Sequence, residues 1–229
     1  MPKIRRRVGK KNLIIMTNLK TTLRVKKTLP KSLLKEARSI IKNRWIYLSK
    51  NYQIQEQIID LLFKKTFPYN TDIDVVKTKA ATLNVYYSTH VQAIQKMAHE
   101  IVNLNIDNRL MIGDITLVPD IAKALGTNRI FRSFASKYCA VHNNAAFPIY
   151  DRLVRQYLAK VIRKGNLAGY TYNQTTADDK LHDYMFYVKV YNAFMKQYHL
   201  TSLTYRQVDW YIWVAQKCKL QNLDLFKLI

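Results

Sequence analysis

The chain has 229 residues, 48% of them hydrophobic, enough for one substantial core or two small subdomains that share one. Lysine and arginine number 38 against 15 acids, a formal charge of +23 that calls for a polyanionic partner, with nucleic acid ahead of an anionic membrane surface. Two cysteines, Cys139 and Cys218, exclude a four-cysteine iron–sulfur or zinc site built by this chain alone, and no apolar run reaches the ~18 residues that span a bilayer.

The charge is concentrated at the start. Residues Met1 to Lys50 hold 16 basic side chains and one acid, Glu36. Residues 1–29 show no sustained period and read as a flexible basic arm, with Met16 an alternative start. The apolar stretch "NLIIM" is too short for the core of a signal peptide, although the acid-free arm also fits an organellar transit peptide.

Helical signals begin at "TLPKSLL", where Pro30 suits a helix entry, and residues 30–229 are expected to form one helical domain. Leu33, Leu34, Ala37, Ile40, Ile41, Trp45 and Leu48 recur at steps of three and four. Further helices are expected at "IQEQIIDLLF", "TDIDVVKTKAATLNVYYS", "HVQAIQKMAHEIVNL", "ITLVPDIAKAL", "NRIFRSFASKYCAV", "YDRLVRQYLAKVI", "KLHDYMFYVKVYNAFMKQY" and "TYRQVDWYIWVAQKCKL". Loops are expected at "FPYNTD", "NIDNRLMIGD", "HNNAAFP" and the longest, Arg163 to Lys180. Alternating strand-type runs are scarce and only five glycines interrupt the pattern, so the fold class is all-α.

The helix from about Asn128 to Val141 carries an apolar stripe of Ile130, Phe131, Phe134, Ala135 and Tyr138, with Lys137 at its flank. The next helix, beginning near Pro148, has Leu153, Val154, Tyr157, Leu158, Val161 and Ile162 on its apolar face and Asp151 in its first turn. Two helices joined by so short a turn pack together, which lets Lys137 and Asp151 face one cleft. A positive neighbourhood of Arg132, Arg152 and Arg155 would lower the pKa of an amine there.

The run "SFASKYCAVHNNAAFPIYDRLVRQYL", a helix carrying Lys followed by P-[apolar]-x-D and an Arg-containing helix, resembles the helix-hairpin-helix DNA glycosylases, the endonuclease III and 8-oxoguanine glycosylase group. With "YRQVDWYIW" near the end, the pattern is most similar to a divergent bacterial branch, over residues 80–217. The resemblance implies two packed helical subdomains with a cleft. It implies Lys137 as the nucleophilic amine and Asp151 as the catalytic carboxylate, excising a base or nicking an abasic site on a flipped nucleotide. It further implies a monomer on duplex DNA, modified or abasic, in repair or in defence, with no cofactor and no metal. The setting would be the cytoplasm at the nucleoid, of prokaryotic or mobile-element origin.

Around that pair, Arg132, Arg152, Arg155, Lys160, Arg163 and Lys164 are candidates for phosphate contact, and Tyr138, His142, Asn143 and Tyr150 for lining a base pocket. Tyr170 and Tyr172, in the longest loop, are candidates for stacking on a base. Each has a plainer reading. Asp151 fits a helix N-cap, Lys137 a cation at a helix C-terminus, and His142-Asn143-Asn144 an ordinary turn. Cys139-x-x-His142 has the spacing of half a metal site without a second half; Trp210 and Trp213 read as core anchors and Asp209 as a buried polar contact. The alternative function is a DNA- or RNA-binding protein that keeps the fold without catalysis.

Overall fold

The computed structural model describes residues 33–43 and 50–220. The basic arm, Pro30, Trp45 and Leu48 lie outside the described residues. Every regular element within them is helical, which makes the chain all-α. The helices are α1 (Leu33–Lys42), α2 (Lys50–Asp60), α3 (Ile73–Tyr86), α4 (Ile94–Asn103), α5 (Asp107–Ile112), α6 (Leu117–Lys123), α7 (Arg132–His142), α8 (Arg152–Arg163), α9 (Gln174–Lys180), α10 (Tyr184–Gln197) and α11 (Tyr205–Leu220). A π-helical turn, Leu61–Thr66, continues α2. Among the described residues no helix is long and apolar enough to cross a membrane.

The apolar periods become buried faces. In α1 the buried side chains are Leu33, Ala37, Ile40 and Ile41, and in α10 they include Tyr184, Tyr187, Val188, Tyr191, Phe194 and Met195. Short polar side chains start four of the helices. Asp72, Asp151, Asn173 and Asp183 each accept a hydrogen bond from a free amide of the following turn, at 2.7–3.0 Å.

Packing falls around two helices. α7 lies against α6, α3 and the π-helical turn, while α3 also packs on α2 and α4. α8 lies against α9, α10 and α11, and α11 in turn packs on α1. Because α7 is surrounded, all eight residues from Phe134 to Val141 are buried. A one-sided stripe therefore understates its burial. Ile130 is not in the helix and is 36% exposed.

Two expected loops contain helices. "NIDNRLMIGD" holds α5, and the stretch Arg163 to Lys180 ends in α9. Both are short segments without a sustained apolar period, so periodicity misses them. Tyr170 and Tyr172 pack edge-on against Phe186, at ring distances of 6.0 and 6.2 Å, which occupies the two rings in the fold.

Candidate active site

The turn between α7 and α8 is fixed from all sides. Asn143 Oδ1 accepts from the amides of Ala145 and Ala146, and its Nδ2 donates to Leu110 O at 2.9 Å. Gly113, at φ +71°, allows α5 to end against this turn: a Cβ there would sit 2.6 Å from Ala146 Cβ. The following segment, Phe147–Tyr150, is not helical, as Pro148 favours an extended residue before it. The buried Ser136 Oγ accepts from Tyr150 N at 2.9 Å, while Tyr184 and Tyr187 donate their hydroxyls to Pro148 O and Ile149 O at 2.8 and 2.7 Å. Asp151 therefore leaves a backbone pinned to both α7 and α10.

This framework brings Lys137 and Asp151 to one cavity of about 200 Å³. Its aromatic walls are Tyr52 from α2, Tyr86 and Tyr87 at the end of α3, and Trp210 and Trp213 from α11. Tyr52 and Trp213 stack with ring centres 6.0 Å apart and planes 24° from parallel. The two tryptophans are half-buried and form a wall of the site, which corrects their reading as core anchors.

Lys137 is 7% exposed. Its Nζ donates to Ser133 Oγ at 2.6 Å and lies 5.7 Å from the centre of the Tyr87 ring. Burial is the main cause that holds its pKa below the ordinary lysine value; Arg206 adds to the depression, while Asp151 and Asp209 oppose it. Such an amine is neutral more readily than a surface lysine, the state a nucleophile needs. Asp151 is half-buried and caps α8 through Oδ1, which accepts from Leu153 N at 2.7 Å.

A buried ionic cluster closes the cavity floor. Arg206 Nη1 donates to Asp209 Oδ2 at 2.8 Å; its Nη2 binds the Glu56 carboxylate and the Tyr52 hydroxyl, the latter at 2.9 Å. Tyr87 donates its hydroxyl to Glu56 Oε1 at 3.1 Å. Asp209 is 6% exposed, and its second oxygen, Oδ1, is buried without a hydrogen-bond partner among the described residues. Burial pushes its carboxyl up to about 6, against the opposing pull of Arg206. The sequence carried a signal for this group: an acid between Val208 and Trp210, three residues after an arginine on a helix with an apolar face.

The other candidates are placed elsewhere. Tyr138 is fully buried and donates to Asn70 Oδ1 at 2.7 Å, in a core cluster where Asn70 also accepts from Lys79 Nζ at 3.0 Å. His142 packs edge-on against Phe63, and with Asn143 it lines a separate cavity beside Tyr69 and Met111. Tyr150 hydrogen-bonds His182 Nδ1 at 2.9 Å. None of these four lines the cavity that holds Lys137, and Asn143 is spent on the turn. Cys139 is fully buried, which pushes its thiol pKa up, so the Cys139-x-x-His142 spacing brings no thiolate to a surface.

Among the basic candidates, Arg152, Arg163 and Lys164 are exposed, and Arg132 and Lys160 are half-buried. Arg155 differs: it is 9% exposed and ion-paired with Asp178 of α9. The helix wheel put it off the apolar stripe, but α9 covers that side.

The family model HI_0787_N, described as an N-terminal domain, matches residues 32–146, half of the chain. The match takes in α1 to α7 and Lys137 and stops before Asp151 and Asp209. A Haemophilus influenzae protein described as uncharacterized is 41% identical over 92 residues, 39% of this chain and 46% of the relative. The chain thus spans under half the length of that relative, and no solved structure matches it. By the span of the family match, the chain belongs to the HI_0787_N family.

Proposed function

We propose that the protein binds DNA and acts as a base-excision glycosylase or abasic-site lyase of the helix-hairpin-helix type, with Lys137 as nucleophile and Asp151 as catalytic carboxylate. The observation that carries this reading is the shared cavity: a desolvated amine and a carboxylate on one aromatic-walled recess. A flipped nucleotide would stack on the walls and place C1′ before the amine. Asp151 would stabilise positive charge developing on the sugar, and Lys137 would attack C1′ to give a Schiff base. The net charge of +23 and the exposed Arg152, Arg163 and Lys164 suit contact with phosphates.

Borohydride trapping on duplex DNA containing abasic sites tests the reading. A covalent protein–DNA adduct that forms with the wild type and is lost in Lys137→Gln, with DNA affinity kept, supports it. No adduct and no strand cleavage on abasic, oxidised, alkylated and uracil-containing duplexes favours a binder without catalysis. An adduct that persists in Lys137→Gln makes another amine the nucleophile.

A further inference from the structure

The cavity contains a second carboxyl group that the two-residue mechanism leaves without work. We infer that Asp209 is the general acid of the site: it protonates the oxygen that departs when the Lys137 amine forms an imine with a carbonyl carbon. The assignment rests on the reading of Lys137 as a nucleophile.

Three observations carry it. Asp209 and Lys137 line the same cavity from different helices, α11 and α7. Only one oxygen of Asp209 is engaged by Arg206, and Oδ1 is buried with no partner among the described residues, a costly state unless a transient partner uses it. Arg206 is itself held by Glu56 and Tyr52, so the carboxyl group is oriented by a chain of bonds reaching α2. The groups that face Asp209 are Arg206 on its own helix, Tyr52 and Glu56 from α2, Lys137 from α7, Asp151 at the head of α8, and Tyr187 and Tyr191 from α10. Burial among them raises its pKa to about 6, which leaves part of the population protonated near neutral pH.

The step balances with these groups alone. The neutral Lys137 amine adds to the carbonyl carbon of the opened sugar, and the π electrons move to the oxygen. That oxygen takes a proton from Nζ to give a carbinolamine. The Asp209 carboxyl then gives its proton to the hydroxyl, the C–O bond breaks, water leaves, and the nitrogen lone pair closes the C=N bond. The products are an iminium ion, a carboxylate and water.

The test uses the full chain and a small carbonyl probe, glycolaldehyde with cyanoborohydride. Modification of Lys137 is read by peptide mass spectrometry between pH 4 and 9, with surface lysines as internal controls. In the wild type the Lys137 rate should fall as pH rises past about 6, while the surface lysines only gain. Asp209→Asn should lose that descending limb and react about 100-fold more slowly, and Asp209→Glu should restore part of both. A slower rate with an unchanged pH profile would make Asp209 structural and overturn the assignment. So would Asp209→Asn reacting as the wild type does, or a wild-type Lys137 inert to the probe at every pH. Should Asp209→Asn not fold, the wild-type profile decides alone. Lys137 that behaves as expected with glycolaldehyde but never traps on abasic DNA would sink the reading of catalysis on DNA and leave Asp209 its role.

Discussion

Lys137 and Asp151, fourteen positions apart, line one cavity while each is tethered within its own helix, the amine to Ser133 Oγ and the carboxylate to Leu153 N. An amine and a carboxylate held in this way are positioned in advance of any ligand.

The cap and the chemistry of Asp151 separate by substitution. Asp151→Asn keeps an acceptor for Leu153 N and should melt close to the wild type, whereas Asp151→Ala should lose about 1 kcal/mol. If the carboxylate works in catalysis, both variants lose trapping on abasic DNA to a similar extent. Thermal melts beside trapping rates check this; activity that follows stability would reduce Asp151 to a cap.

The basic residues of α8 and its C-cap should divide by burial. Alanine at Arg152, Arg163 or Lys164 should change stability by no more than about 0.5 kcal/mol. Each should also weaken DNA binding and reduce the slope of log affinity against log salt by about one for every phosphate that is no longer neutralised. Arg155→Ala should instead cost roughly 1.5–3 kcal/mol by stranding Asp178, with little change in the salt slope. Denaturant melts and salt titrations of the four variants give the comparison, and an Arg155 variant that melts normally would place its ion pair among the dispensable ones.

His142 predicts an acid limb of stability. Burial, helped by Lys79 and Lys64, lowers its pKa from 6.5 to about 3, so the unfolded chain takes up a proton that the native imidazole refuses. The stability contributed by neutral His142 is therefore complete above about pH 6.5 and is lost progressively as pH falls towards 3. His142→Phe keeps a ring against Phe63 and removes the proton uptake, so its denaturation midpoint should drop less than the wild type's between pH 7 and pH 4. Equal drops would assign the acid limb to other groups.

The all-α class is legible in the apolar residues at steps of three and four in α1, α3, α8 and α10, and the position of Asp151 at the head of α8 in the signals of Pro148 and a capping acid. These are local properties, set by residues within a turn or two of one another. The sequence also singled out Lys137 and Asp151 as a pair, but for a reason the structure corrects: α7 and α8 pack chiefly on other helices, and the two residues meet because the segment before Asp151 is bonded to α7 through Tyr150 N and Ser136 Oγ. The walls and the floor of the cavity come from long-range packing. Tyr52, Tyr87, Arg206 and Trp213 come from helices up to about 160 residues apart, and no local pattern encodes which of them meet. Arg155 has the same lesson at smaller scale: its polarity promised solvent, and Asp178 on a helix without an apolar period covered it. Burial of a charged group is a property of what packs over it, so it is fixed by non-local contacts and not by the residue's own turn of helix.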